Sequence, residues 1–463
     1  MERLKDYKDG RGRAGAPTHS PAKPSRDGTR RAKPGDSPRD RGAPHRPGPR
    51  RDRPSEEPEA RPAPRQRRAF STLGGPVELG GDREAARALG KIYDVESSLE
   101  RALTHGFHSY AGRLHPSIAR GGVAAFSAPG DTVVDPFCGS GTVLVEAMGL
   151  GRRAMGVDAS PLGVAIARAR TTLLGDEGRE RLVSEAARIA EESGARARKR
   201  KRPEVPRWAR REITRFHAHV LFELLGLREL VMATPDDPVG HALRLCLSSL
   251  LVKFMKAGPT APRDGADKRI GRGVPSRMLA DRAAELARGL AALEGRTPPG
   301  TPTPEVTEGD ARSLSIQPGS VALVLSSPPY AGTYDYAAIH DARFLWLGLE
   351  EKKFQRVQLG ARAERVGDVA GGSWRDQQAQ FILQIARILR PGGRALLVVG
   401  DGVIDGRAEN APDGVAAAGA AVGLEAVARA SQARPLHDRR LAEIFGAQPR
   451  REHLLLLEKK RSA

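Results

Sequence analysis

The order of apolar and glycine-rich segments between residues 132 and 173 constrains the fold of this chain most. Residues 132–135 read as a buried strand, glycines follow at once, and residues 143–150 have the composition of a helix. A second strand at residues 154–158 and a second helix at residues 161–173 come next. Strands that alternate with helices in this way predict an α/β fold built on a parallel sheet.

The same alternation returns in the last third of the chain, after a long run of helices. Helical patterns occupy much of residues 175–300 and end in a Pro-rich linker. The helices predicted there lie at 180–201, 213–232, 241–256 and 277–293. Beyond the linker we predict strands at 321–325, 395–399 and 453–457, and helices at 377–389 and 415–422. A helical insert therefore interrupts one sheet domain.

The first 70 residues differ from the rest of the chain in composition. They are rich in Arg, Pro and Gly, and their 20 basic and 10 acidic residues supply half of the net charge of +20. Such a segment cannot bury enough apolar surface to offset its ordering entropy, which predicts a disordered basic tail. A tail of this charge either binds a polyanion such as nucleic acid or has no role. The predicted divisions are 1–70, 71–174, 175–300 and 301–463.

Several protein classes are disfavoured by what the sequence lacks. Cys138 and Cys246 are its only cysteines, so we expect no disulfide framework and no zinc or other metal site. The first residues contain no apolar stretch of the kind that directs secretion. No run of about 18 apolar residues is present, so no membrane span is expected. These features favour the reducing cytoplasm; the oligomeric state is left open.

The segment Asp135-Pro-Phe-Cys-Gly-Ser-Gly-Thr142 is the first candidate site. It lies between a strand and a helix, where open α/β sheets bind ligands. Gly139 and Gly141 allow a tight turn and a close approach of the backbone to a ligand. Asp158 ends the next strand, a position suited to accepting hydrogen bonds from ribose hydroxyls. No Lys-Ser/Thr pair follows the glycines, so this is not a P-loop.

The segment Ser326-Ser327-Pro328-Pro329-Tyr330 is the second candidate site and directly follows a predicted strand. Two consecutive prolines cannot continue a central strand. Because proline has no backbone N–H, this segment offers carbonyl acceptors but lacks two N–H donors. A hydroxyl and a carbonyl beside an aromatic ring suit a planar base that carries an amino group. Enzymes that modify bases read an extruded base in this manner. The alternative is a structural turn.

Together these motifs resemble the amino-methyltransferases of DNA, the N4-cytosine and N6-adenine family. Residues 135–142 are similar to the family's S-adenosylmethionine motif, and residues 327–330 to its catalytic motif. Residues 108–116 resemble the family's segment over the methionine end of the cofactor, although Gly112-Arg113-Leu114 replaces the usual Ala-Lys-Phe. Asp310 stands where the family places an acid near the cofactor adenine.

The resemblance implies a Rossmann-like class I methyltransferase sheet, S-adenosylmethionine as cofactor and DNA as partner. It covers about residues 105–173 and 305–458, and the insert lies where some members carry their target-recognition region. The residues it assigns to the cofactor are Asp135, Phe137, Gly139, Gly141, Thr142, Asp158, Asp310 and Tyr110. Those it assigns to catalysis are Ser327, Pro328, Pro329 and Tyr330.

Methylation of an exocyclic amino group in DNA is therefore the expected function, with cytosine N4 favoured over adenine N6 because Ser327 opens the catalytic motif. A role in restriction–modification would fit. One alternative is an RNA methyltransferase acting on N2 of a tRNA guanine. Another is a nucleic-acid-binding protein without activity. A C5-cytosine enzyme needs a nucleophilic thiolate, and both Cys138 and Cys246 are expected to be structural.

A few other residues invite functional interpretation. His105, His108 and His115 lack carboxylate or cysteine partners at ligand spacing, and we expect packing or lid roles for them. The basic cluster at residues 196–202 either contacts phosphates or is simply a solvated helix end. Asp401 either lines a pocket or is an ordinary loop acid. Phe344 and Trp346 are expected in the core.

Overall fold

The strand at Thr132–Asp135 lies near the middle of an eight-stranded sheet in the computed structural model of this protein. The structure describes residues 76–93, 97–199, 204–256, 269–331, 334–360, 373–404, 406–434 and 439–461. The predicted tail at residues 1–70 lies outside these ranges.

The strands are β1 (Val77–Gly81), β2 (Thr132–Asp135), β3 (Arg153–Asp158), β4 (Glu305–Glu308), β5 (Val321–Ser326), β6 (Leu389–Gly400), β7 (Gly402–Ile404), β8 (Arg407–Glu409), β9 (Leu424–Ala433) and β10 (Arg451–Lys459). The helices in the first half are α1 (Arg83–Ile92), α2 (Pro116–Phe126), α3 (Thr142–Gly149), α4 (Pro161–Thr171), α5 (Gly175–Arg198), α6 (Ala218–Met232), α7 (Pro238–Phe254) and α8 (Val274–Arg296). Those in the second half are α9 (Tyr336–Leu347), α10 (Glu351–Val357), α11 (Trp374–Ile388), α12 (Ala411–Ala420) and α13 (Arg439–Phe445).

The strand order in the large sheet is β4-β3-β2-β5-β6-β10-β9-β1. Strands β4, β3, β2, β5 and β6 are parallel, whereas β10 is antiparallel to both of its neighbours and β1 is antiparallel to β9. Strands β7 and β8 form a separate hairpin. The predicted α/β class with a Rossmann-like methyltransferase sheet is confirmed. The carboxyl ends of the parallel strands all meet at one edge.

Strands β2, β3, β5 and β10 are present within two residues of their predicted ends, whereas β6 begins at Leu389 and not at the predicted residue 395. Buried Val133 and Val134 of β2 and the fully buried strand β5 explain why these runs were readable. By contrast, no apolar run predicted β1, β4, β7, β8 or β9. Strand β9 is largely Ala, Ser, Gln and charged residues, and its conformation depends on pairing with β10 and β1 rather than on an apolar pattern.

The helix predicted over residues 213–232 is wrong at its start. A short 3₁₀ helix covers Arg207–Thr214, and α6 begins only at Ala218. Between them the chain turns so that Phe216 is fully buried. The buried Glu212 carboxylate accepts a hydrogen bond of 3.0 Å from the Trp346 indole. Tertiary contacts therefore override the helical period here.

Helices α5 to α8 lie in the chain between β3 and β4, which are neighbours in the sheet. Their apolar faces share one core with Leu162 and Ile166 of α4 and with Phe344 and Trp346 of α9. Phe344 and Trp346 are therefore core residues. No helix in the part of the chain that the structure describes is long and apolar enough to cross a membrane.

Candidate active site

The glycine loop joins β2 to α3 at the carboxyl edge of the sheet. Gly139 and Gly141 have φ of +47° and +78°, a region that side chains rarely adopt. A Cβ at position 139 would lie 3.1 Å from the Tyr110 ring, and one at position 141 would lie 2.9 Å from the Cβ of Ala167. Gly139 therefore keeps space beside Tyr110, whereas Gly141 lets α3 and α4 approach closely.

Asp158 is fixed at the end of β3 by backbone groups from both sides. Its two carboxylate oxygens accept hydrogen bonds from the Gly139 and Ser160 amides, each at 2.7 Å. Burial raises the pKa of Asp158 to about 6, and the two amides act against that rise. A carboxylate has about four acceptor sites, so each oxygen can still accept a hydroxyl of a ligand.

A direct hydrogen bond connects the two candidate loops. The Ser326 hydroxyl donates to Oδ1 of Asp135 at 2.6 Å, and the Phe137 amide donates to the same oxygen at 3.1 Å. Burial raises the pKa of Asp135 to about 7, despite the hydrogen bond from Ser326. The proline-stiffened loop and the glycine loop therefore meet at one edge of one sheet.

Both loops line a single cavity at this edge of the sheet. The predicted site residues that line it are Tyr110, Asp135, Phe137, Gly139, Thr142, Asp158, Asp310, Ser327 and Pro329. Three predicted residues, Gly141, Pro328 and Tyr330, do not line this cavity. Pro328 and Tyr330 instead border a second, smaller cavity, together with Trp374 and Gln378. Pro329 borders both cavities, so the catalytic-motif segment forms the wall between them.

The Tyr330 ring lies over a glycine of the neighbouring strand β6. A Cβ at Gly400 would come within 2.4 Å of Tyr330 Cε2, so only glycine accommodates the ring there. The Tyr330 hydroxyl lies 3.1 Å from Oε2 of Glu452. Burial and the negative charge of Glu452 raise the pKa of Tyr330 well above its usual value, which keeps the hydroxyl protonated as the donor.

Aromatic rings form one side of the larger cavity. Tyr110 stacks on His340 with ring centroids 4.8 Å apart and lies nearly parallel to Tyr336 at 6.4 Å. Arg343 ties this group together by donating to His340 Nδ1 at 2.9 Å and to the Ser109 hydroxyl at 2.7 Å. Segment 108–116 is thereby held against α9, the helix that follows the catalytic motif.

A buried chain of charged and polar groups supports the glycine loop from below. Arg170 of α4 donates to the carbonyl and hydroxyl of Ser140 and, at 2.6 Å, to Nδ1 of His105. Nε2 of His105 lies 2.8 Å from Glu146, whose other oxygen accepts from Arg296 at 2.8 Å. Burial lowers the pKa of His105 to about 4 and of Arg170 to about 9. His105 is therefore a neutral linker between an arginine and a carboxylate.

The other two histidines also have structural partners. His108 lies 2.9 Å from the Ser109 carbonyl and 3.1 Å from the Ser248 hydroxyl, and His115 caps α2 by accepting from the Ser117 amide. Within the described residues, no group of His, Cys, Asp and Glu could hold a metal ion. Burial raises the pKa of Cys138 and Cys246, so both remain thiols.

The larger cavity contains groups that fit a zwitterionic nucleoside such as S-adenosylmethionine. The Thr142 hydroxyl is buried at the first residue of α3 and has no hydrogen-bond partner among the described residues. A hydroxyl and free amides at a helix N-terminus suit a carboxylate. Asp158 at the end of β3 suits ribose hydroxyls. Asp310 lines the cavity, but its carboxylate is paired with Arg312 at 2.6 Å.

Helix α10 and the residues after it close the cavity in a way that the sequence analysis missed. Phe354, Val357, Gln358 and Leu359 all line it. The Gln358 side chain accepts from the Ala337 amide at 2.9 Å, which joins this segment to the first turn of α9. The segment has no motif and too few residues to show a helical period, so no sequence signal marked it.

Comparison with known proteins supports the resemblance. Residues 89–168 match the family model described as DNA methylase. The chain is 37% identical over 79 residues to Type II methyltransferase M.MjaII of Methanocaldococcus jannaschii. The resemblance to the DNA amino-methyltransferases is confirmed. The match covers 17% of this chain and only 15% of that relative's length.

S-adenosylmethionine is the cofactor of a DNA amino-methyltransferase, and the matched segment contains the glycine loop, Asp158 and Tyr110.

Solved structures give weaker likenesses. TrmN from Thermus thermophilus aligns at 14% identity over 75% of this chain and 50% of its own, with a TM-score of 0.28. The rRNA methyltransferase aviRa from Streptomyces viridochromogenes aligns at 12% identity over 79% and 94%, with a TM-score of 0.32. Scores this low carry no argument about substrate.

Proposed function

We propose that this protein transfers a methyl group from S-adenosylmethionine to an exocyclic amino group of a DNA base, with cytosine N4 favoured over adenine N6. The observation that carries the proposal is the 2.6 Å hydrogen bond between Ser326 and Asp135. It holds Ser327 and the glycine loop on the same cavity, where a methyl donor and an amino acceptor can meet.

Each loop has a distinct task in this proposal. When bound, S-adenosylmethionine supplies an electrophilic methyl group. Thr142 and the N-terminus of α3 hold the carboxylate of the methionine moiety, and Asp158 accepts the ribose hydroxyls. The Ser327 hydroxyl, on the cofactor cavity, and the carbonyl of Pro328, which borders the second cavity, accept hydrogen bonds from the two N–H groups of a base held at the wall between them.

These hydrogen bonds answer a chemical difficulty. An exocyclic amine is a weak nucleophile because its lone pair is delocalised into the ring. Acceptors that favour a tetrahedral nitrogen localise the lone pair, and complementarity of this kind lowers the barrier more than tight substrate binding does. The rigid Pro-Pro segment fixes the acceptors relative to the cofactor cavity, which supplies orientation. No covalent enzyme intermediate is required, consistent with two protonated cysteines.

Label transfer from tritiated cofactor tests the activity. We expect label in double-stranded DNA carrying varied sequences, and N4-methylcytosine after digestion to nucleosides. Label only in tRNA, recovered as N2-methylguanosine, would replace this proposal with the RNA alternative. Cofactor binding without transfer to any DNA or RNA would favour the inactive binding protein.

We further propose that residues 175–300 recognise the DNA target and that 71–174 and 301–463 form the methyltransferase domain. Exposed Arg207 and Arg210 lie in the 3₁₀ helix beside the buried turn at Phe216. Replacing both with Gln should weaken DNA binding and reduce its salt dependence, because each phosphate contact releases counterions. Replacing exposed Arg83 and Arg87 of α1 is the matched control. Equal effects of the two pairs would contradict a target role for the insert.

The name of the relative from Methanocaldococcus jannaschii, a Type II methyltransferase, supports a place in restriction–modification. On this proposal the methyl group protects the host sequence from a cognate endonuclease. Expression of the protein should make host DNA resistant to an endonuclease that cuts the methylated sequence. Digestion of DNA from expressing and non-expressing cells with a panel of endonucleases measures this.

A further inference from the structure

The hydroxyl of Tyr330 is anchored by an ion pair that lies away from the cofactor cavity. Oε2 of Glu452 lies 3.1 Å from that hydroxyl, and Oε1 of Glu452 accepts from Arg434 at 2.8 Å. The exposed fractions of the Arg434 and Glu452 side chains are 1% and 7%. One carboxylate therefore bridges a nearly inaccessible guanidinium and the tyrosine of the catalytic motif.

The strand register places these groups side by side. Glu452 of β10 is the register partner of Gly400 on β6 and of Gln432 on β9. The Tyr330 ring lies over Gly400, so its hydroxyl reaches the next strand at the same level of the sheet. Arg434, which follows β9, donates to the Gln432 side chain as well as to Glu452.

A second tyrosine strengthens the anchor. The Tyr93 hydroxyl donates to the backbone carbonyl of Glu452 at 2.8 Å, and the Tyr93 ring centroid lies 5.7 Å from the Arg434 guanidinium. A buried ion pair is a poor source of stability, because its desolvation cost often exceeds its Coulombic gain. Its value here is directional, since it fixes an acceptor for one hydroxyl.

We propose that Glu452 and Arg434 are positioning residues that hold the Tyr330 ring in a fixed plane against Gly400. This inference rests on the proposed function and adds to it that the Tyr330 ring, which borders the second cavity, stacks on the target base. Ring orientation then depends on a carboxylate 122 residues away in the chain. A freely rotating ring would lose the alignment that methyl transfer to an amino nitrogen requires.

Replacing Glu452 with Gln in the full-length chain tests the anchor. The amide can hydrogen-bond Tyr330 or Arg434 but carries no charge, so we expect kcat for DNA methylation to fall roughly tenfold. Cofactor affinity and KM for DNA should change less than about twofold, because neither contact involves Glu452. Glu458→Gln is the matched control. Glu458 lies on the same strand and pairs with Arg394 at 2.9 Å, but at the far edge of the sheet.

A double-mutant cycle separates positioning from general stability. Tyr330→Phe keeps the ring but removes the hydroxyl with its hydrogen bonds to both Glu452 and the Ser327 side chain, so it should lower kcat at least as much as Glu452→Gln. The double variant should be no slower than Tyr330→Phe alone, because Tyr330→Phe already removes the contact with Glu452. Additive losses, or wild-type kcat in both single variants, would overturn the proposal. If Glu452→Gln does not fold, Arg434→Lys replaces it in the cycle, with the same expected and overturning outcomes.

Fluorine NMR provides a readout that does not depend on activity. With 3-fluorotyrosine at the six tyrosines, the Tyr330 resonance is the one that Tyr330→Phe removes. In the absence of DNA, Glu452→Gln should shift that resonance, and Glu458→Gln should leave it in place. An unmoved resonance would overturn the anchor even if the wild-type protein methylates DNA. A moved resonance in a protein that methylates nothing would refute the proposed function alone.

Discussion

The parallel and antiparallel halves of the sheet support the candidate site in different ways. In the parallel half, Asp158 is held by two backbone amides and two glycines shape the loop. In the antiparallel half, β9 and β10 hold Tyr330 through a buried ion pair between side chains. The backbone-built site lies within one continuous segment, residues 139–160, whereas the ion-pair anchor joins residues from distant segments. The first kind can be read in a sequence, and the second cannot.

The largest expected effect tests whether the two halves act on one reaction. Ser327→Ala removes an acceptor for the amino nitrogen but no contact with the cofactor. We expect kcat to fall by about 10²–10³-fold, as for loss of one preorganised transition-state contact, with little change in cofactor affinity. Ser320→Ala at the opposite end of β5 is the control, since its hydroxyl contacts only the Gln317 carbonyl among the described residues. An unchanged rate would disprove the catalytic-motif assignment.

A second test challenges the view that the parallel half relies on backbone groups alone. Arg170→Met removes the fully buried donor to the Ser140 carbonyl and to His105. We expect a loss of about 2–4 kcal/mol in the free energy of unfolding, because buried acceptors are left unpaired. Denaturant unfolding measures this. Arg168→Met, an exposed neighbour that donates to the Val306 carbonyl, should cost under about 1 kcal/mol.

A third test uses the raised pKa of Asp158. Below a pKa of about 6 the carboxyl is protonated and accepts ribose hydroxyls less well, so cofactor affinity should rise between pH 5 and 7.5. Asp158→Asn should weaken cofactor binding by about 10–30-fold at pH 7.5. Asp135 also titrates in this window, so the informative quantity is the difference between the two proteins. Calorimetry at several pH values gives this difference in cofactor affinity. If the affinity depended on pH in the same way in both proteins, Asp158 would be excluded as a cofactor ligand.

The smallest expected effect concerns neither half of the sheet. Deletion of residues 1–70 should change the free energy of unfolding by less than about 0.5 kcal/mol, because their composition predicts no buried apolar surface. DNA affinity at low salt should fall with the loss of the basic charge. Thermal unfolding and binding titrations of the two chains test both statements. A large drop in melting temperature would contradict the predicted tail.

Much of the fold was readable because its parallel strands are short apolar runs with glycine or proline at their ends. Strands β2, β3 and β5 and the acid at position 158 follow this pattern. Strand β9 was not readable, since its alanines and polar residues adopt the strand only between β10 and β1.

The candidate site likewise contains residues that the sequence predicted and residues that it did not. Asp135, Asp158 and Ser327 line the larger cavity, as the sequence predicted, and their roles stay predictions. The closing segment at 354–359 and the anchor of Tyr330 were missed. Both depend on contacts between residues that are remote in the chain and carry no local pattern. Asp401 also has a tertiary role: its carboxylate contacts His453 at 3.1 Å and accepts from the Arg451 amide.

The shared core between the insert and α9 limits how this protein can be redesigned. Trp346, a few turns after the catalytic motif, packs edge-on against Trp208 and Phe216, and Phe344 belongs to the same core as α6 and α7. Cutting the chain back to a minimal sheet enzyme would expose two large aromatic side chains to water and invite aggregation. Swapping in a foreign recognition segment would succeed only if the donor brings matching apolar surface, or if α9 is resurfaced at the same time.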